Sequence, residues 1–69
     1  MPNVYGWWVG RAVILQVAVD EFTVPLRGVI VGESEATLRF LVGDDLDLDI
    51  HKSMILAVEQ ENGGGFLVN

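Results

Sequence analysis

Three stretches of this chain hold residue types that could do chemistry. Asp45, Asp47 and Asp49 place carboxylates at alternate positions, and hard cations such as calcium favour sites with several carboxylates. An EF-hand loop, however, needs a glycine at its sixth position and a bidentate glutamate at its end. Here the aspartates alternate with Leu46, Leu48 and Ile50, so the ladder reads as the solvated face of a strand and no metal is assigned. His51 and Lys52, the only histidine and the only lysine, follow directly. With Arg27 or Arg39 they could line a ring pore and touch phosphates or bases, although a plain polar turn between two strands weighs more. Tyr5, Trp7 and Trp8 could stack on bases or sugars. Paired tryptophans near a terminus more often plug the end of a small barrel or bury against a neighbour.

Nucleophilic catalysis is poorly supplied. Ser34 falls in a hairpin signal, Ser53 stands beside Lys52, and neither has a recognisable partner motif. No catalytic residue and no cofactor is assigned, and the expectation is a protein that is not an enzyme. Cysteine is absent, which excludes disulfides and thiolate metal sites, and a single histidine cannot build a histidine cage.

The elements that must position these residues are constrained by size. Sixty-nine residues make one domain, near the lower limit at which a single core holds a fold unaided. With disulfides and metals excluded, oligomerisation is the favoured support. A hydrophobic content of 51% and a mean hydropathy of +0.41 exceed what so small an interior can hide. The most apolar uncharged run, Ala12 to Val19, includes Gln16 and is too short to span a bilayer. With no basic leader after Met1, a cytoplasmic location and no membrane partner are expected. Net charge is −6, from four basic against ten acidic residues. Nucleic-acid binding draws on a concentrated positive surface, so this acidity weighs against it, though a ring of copies could still gather a few cations at its axis.

Alternation supplies the elements. Residues 1–10 form an aromatic arm, 11–61 a barrel, and 62–69 a glycine-rich tail ending in Phe66-Leu67-Val68. From Arg11 to Val19, Val13, Leu15, Val17 and Val19 share one face, and the other face is also partly apolar. A second strand from Phe22 to Val31 puts Phe22, Val24, Leu26 and Ile30 on one face, with Gly28 among them as a bend and Pro25 at an edge. Gly32 to Glu35 and Gly43 to Asp45 are turns, and between them Leu38, Phe40 and Val42 point inward. Leu46, Leu48 and Ile50 are inward on the fourth strand. After a break at Lys52-Ser53, Met54, Leu56 and Val58 are expected inward on the fifth, leaving Ile55 and Ala57 outward.

This order resembles the Sm-like family, through the bend Leu26-Arg27-Gly28-Val29-Ile30 and the stretch Asp49-Ile50-His51-Lys52-Ser53-Met54-Ile55-Leu56-Ala57-Val58. The resemblance spans about Gly10 to Gln60 and implies an all-β, five-stranded, strongly bent SH3-like small barrel. It also implies closed rings in which the fourth strand of one subunit pairs with the fifth of the next. Sm-like RNA pockets use an Asp and an Asn after the bend glycine, and neither residue type occurs between Glu21 and Gly43. The expectation is therefore a cyclic homo-oligomer with an interface through Val29, Val31, Leu41, Ile55 and Ala57, acting as an interaction module. Two alternatives stay open. One is a divergent RNA-binding ring using His51, Lys52, Arg27, Arg39, Trp7 and Trp8; the other is a monomeric SH3-like barrel that binds peptides.

Overall fold

The computed structural model describes residues 5–60. It is all-β, with five antiparallel strands in one sheet of order β4-β3-β2-β1-β5: β1 (Ala12–Val19), β2 (Phe22–Glu33), β3 (Thr37–Val42), β4 (Leu46–His51) and β5 (Ile55–Gln60). Two 3-10 turns complete it, Gly6–Trp8 ahead of β1 and Lys52–Met54 between β4 and β5. A turn near Lys52 was expected; the one at Gly6–Trp8 was not, since glycine and tryptophans carry no helical stripe.

β2 organises the sheet. Its first part, Phe22 to Val29, pairs with β1, and its last part, Val29 to Glu33, pairs with β3. Pro25 lies where β2 has β1 on one side only, so its missing N–H costs no ladder bond. At the changeover, a Cβ on Gly28 would run into the carbonyl oxygen of Leu41 and lie 3.0 Å from Phe40 Cε2. Only glycine lets the two halves of β2 fold so closely over β3.

The alternation then closes a core of Trp8, Val13, Leu15, Val17, Ile30, Leu38, Phe40, Ile50 and Val58. Trp8 is buried as a plug at the β1 start of the sheet, where Val9 bridges Ile30 and Gly10 N donates to the Ile30 carbonyl at 2.7 Å.

Two expectations are corrected here. The sheet curls but does not close into a barrel, because β4 and β5 form its two edges and no ladder joins them among the described residues. His51 and Ile55 lie on opposite edges yet only four residues apart, a reach of about 14 Å. A flat sheet would separate those edges by about 19 Å, so the curl brings them together at one end only. The fifth strand also has its faces exchanged near its start. Gln16 pairs with Ala57 but Val17 pairs with Ile55, so Leu56 is the extra residue of a bulge in β5. Ile55 therefore packs against the core while Leu56 is 50% exposed, the reverse of the expectation. Phe22 and Leu46 keep the inward parity but stand at hairpin tips beyond the core and are exposed.

Replacing Gly28 by alanine forces a side chain into the Leu41 backbone. Such overpacking costs about 3 kcal/mol, a fall in Tm of roughly 12–24 °C for a domain this small. Thermal unfolding followed by circular dichroism should show that loss or an unfolded chain; an unchanged Tm would disprove the bend as described.

Candidate functional site

The β2 bulge places a charge inside the sheet. Ile30 pairs with Phe40 and Gly32 with Arg39, so Val31 is the extra residue and Glu33, opposite Leu38, takes the inward parity. Lys52, the first residue of the second 3-10 turn, points into the same region. Its ammonium lies 2.7 Å from Glu33 Oε2, and the two side chains are only 7% and 5% exposed. The arm joins them: Tyr5 N donates to Glu33 Oε2 at 3.2 Å, and the Lys52 ammonium lies 5.8 Å from the Tyr5 ring centroid. Lys52 N in turn donates to the Ala36 carbonyl at 2.8 Å, pinning the turn to the β2–β3 hairpin. Neither Glu33 Oε1 nor the ammonium has a further hydrogen-bond partner among the described residues. Burial pushes the Tyr5 phenol above its ordinary 10.0, outweighing the downward pull of Lys52, and Glu33 adds to the rise.

The residues singled out as nucleic-acid contacts are scattered. Lys52 is inside and Trp8 belongs to the core. Trp7 is 62% exposed, but the Arg11 guanidinium sits 3.9 Å over its ring and Arg11 Nε donates to the Trp7 carbonyl at 2.9 Å. His51 is exposed at the end of β4. Arg39 faces Asp47 and Asp49 at 3.6 and 3.9 Å, and Arg27 stands opposite Ile14 on the outer face. Val29 and Leu41 separate Arg27 from Arg39 on that face, so no concentrated positive surface forms among the described residues. Asp47 and Asp49 lie on the exposed face of β4, Asp45 falls in the turn before it, and no cluster that could hold a metal occurs among the described residues. The Ser34 hydroxyl is engaged with Thr37 Oγ1 at 2.7 Å.

Of the expected interface residues, Val29 and Leu41 are half-buried and Val31 exposed, all on the two interior strands β2 and β3. Ala57 is half-buried on the β5 edge, and Ile55 has turned to the core. The two sheet edges are the larger feature among the described residues. β4 presents Asp47 and Asp49 outward, and β5 presents Leu56 and Ala57, with Glu59 bonded to Gln16 at 3.1 Å. Glu33 and Leu56 escaped the sequence reading because each depends on a bulge, and the one available signal was Gly32 beside Val31. No helix among the described residues is long and apolar enough to cross a membrane. No family model, curated protein or solved structure matches this chain.

Replacing Lys52 by methionine strands the Glu33 carboxylate in the interior and should cost about 3–5 kcal/mol in urea unfolding. Adding Glu33→Leu should recover most of that loss; an equal loss in both variants would show the pair to be unimportant. The raised Tyr5 pKa means the folded state favours the neutral phenol. Its contribution to stability is complete below pH 10.0 and is lost as pH rises through the folded value. Tyr5 is the only tyrosine, so absorbance at 295 nm should give a native midpoint above 10.0 that falls back in urea.

Proposed function

We propose that this chain is a non-enzymatic interaction module of the Sm-like type that assembles into a homo-oligomeric ring. The observation that carries the reading is the strand order, which places β4 and β5 at opposite edges of one curled sheet, with no further strand beside either among the described residues. These are the strands that the Sm-like resemblance pairs between neighbouring subunits. Unpaired edges invite strand addition unless they are blocked. Neither β4 nor β5 contains proline or lysine. Joining the β4 edge of one copy to the β5 edge of the next is a head-to-tail contact, which closes into a ring when the rotation permits. Leu56 and Ala57 take the role at this interface that Ile55 was expected to share.

The partners of such a ring are proteins on this reading. Each copy adds a charge of −6, and its one lysine is held by Glu33 rather than offered to phosphate. Only Arg11, Arg27, Arg39 and His51 remain at the surface, and Arg39 sits among aspartates.

Light scattering after size exclusion should give an integral multiple of 7.6 kDa at micromolar concentration. Leu56→Asp should yield a folded monomer, because burying a leucine at the edge contributes about 1.5–3 kcal/mol per interface. Ile55→Asp should instead unfold the chain. A monomeric mass for the unaltered protein would overturn the ring and leave the edges to an extended strand of another protein. Tight binding of oligo-U at low salt would overturn the protein-partner reading.

A further inference from the structure

The inward rows of the sheet run on past its core. Leu26 on β2, Val42 on β3 and Leu48 on β4 pack half-buried against the core cluster. Phe22 lies further out on the row of Leu26, Leu46 further out on the row of Leu48, and Val19 beyond Val17 on β1, directly opposite Phe22. These three outer residues are 71%, 51% and 41% exposed. The turns beside them, β1–β2 and β3–β4, are alternate turns of one antiparallel meander and so fall at the same end of it. Trp8 plugs the sheet at the opposite end of β1, whereas Val19, Phe22 and Leu46 have no such plug among the described residues.

We propose that this end docks an apolar segment of a partner protein flanked by lysines or arginines. Charge selects that occupant. Asp20 and Glu21 make up the β1–β2 turn, Asp44 and Asp45 stand in the β3–β4 turn, all four are exposed, and neither turn holds a cation. An exposed apolar surface with a polar rim marks an interaction site, and a rim of one sign steers in a partner of the other. A second copy brings the same four carboxylates to the contact, so pairing this end with itself sets like charge against like. Strand addition is also hindered here, because β2 has β1 on one side only and Pro25 has no N–H to give to a further strand. The occupant is therefore held by its side chains, apolar ones against Phe22, Val19 and Leu46 and cations at the rim. The proposal rests on the protein-partner reading above and not on the ring, since both turns and their apolar residues are present in a single copy.

NMR of the full chain titrated with the peptide KKLFLKK tests this, with EELFLEE and KKSGSKK as controls. KKLFLKK should move the methyl resonances of Val19 and Leu46 and the ring resonances of Phe22, and raised salt should weaken the effect. Neither control should move them. Phe22→Ser alters an exposed side chain, so thermal unfolding should be unchanged while affinity for KKLFLKK falls about tenfold or more. Asp20 has a φ of 55°, a conformation asparagine also accepts, so Asp20→Asn should keep the turn and weaken binding about two- to fivefold. Equal shifts with either control, shifts confined to another surface, or unchanged affinity in Phe22→Ser would each overturn the proposal. Movement of Val19 and Leu46 on raising the protein concentration alone would overturn it too, by placing a second copy at this end. Light scattering on the same samples reads the ring separately, and oligo-U binding reads the protein-partner proposal, so a failure of KKLFLKK by itself removes this surface only.

Discussion

One sheet has to supply both walls of this core, and it can do so only because β2 turns back on itself at Gly28. The bend sets Leu15 and Val17 of β1 against Leu38 and Phe40 of β3 and Ile50 of β4 in one cluster. The Leu41 carbonyl occupies the space that any other residue at position 28 would need for its Cβ. The same curl draws the ends of β4 and β5 close enough for Lys52–Met54 to join opposite edges. Bend, core and edge geometry are thus consequences of a single close approach.

Two bulges adjust what the bend encloses. The extra residue Val31 turns Glu33 inward, and the extra residue Leu56 turns Ile55 inward and leaves itself outside. A buried ion pair adds little net stability, because desolvating both charges offsets their attraction. Its effect here lies in the alternatives it penalises. A one-residue slip of β2 on β3 would send Glu33 to the outer face and leave the Lys52 ammonium buried alone. The pair also fixes the arm, since Tyr5 N has the same carboxylate oxygen as its acceptor. A slipped register would thereby be penalised by charge as well as by packing.

The parts of this architecture that were legible in the sequence are those set by strict alternation. Val13, Leu15 and Val17, Leu38 and Phe40, and Leu48 and Ile50 all keep the faces their spacing assigns. Gly28 was legible as a bend because glycine within an apolar strand has few other uses. Bulges are different: they change parity without changing composition, so Ile55 and Leu56 exchange roles and Glu33 passes for a hairpin residue. Lys52 was misjudged for a related reason. A lysine in a short polar turn reads as solvated unless its buried partner is known, and that partner is nineteen positions away behind a bulge. Closure of the sheet was illegible because it depends on the sum of twist and bend, which no single residue encodes.

The charge pattern of the two edges bears on which strand additions are tolerated. Pairing β4 with β4 of another copy sets Asp47 and Asp49 against themselves, and like charges directly opposed on a sheet are destabilising. Pairing β5 with β5 brings Glu59 towards its own copy and spends Leu56 on a contact that ends the assembly at two chains. Pairing β4 with β5 engages both edges in every copy, with Glu59 on the same face of β5 as Ala57. On the proposed ring, the acidic face of β4 would count against a symmetric dimer through that strand. Among the described residues, the charge pattern therefore disfavours the symmetric β4–β4 contact most directly.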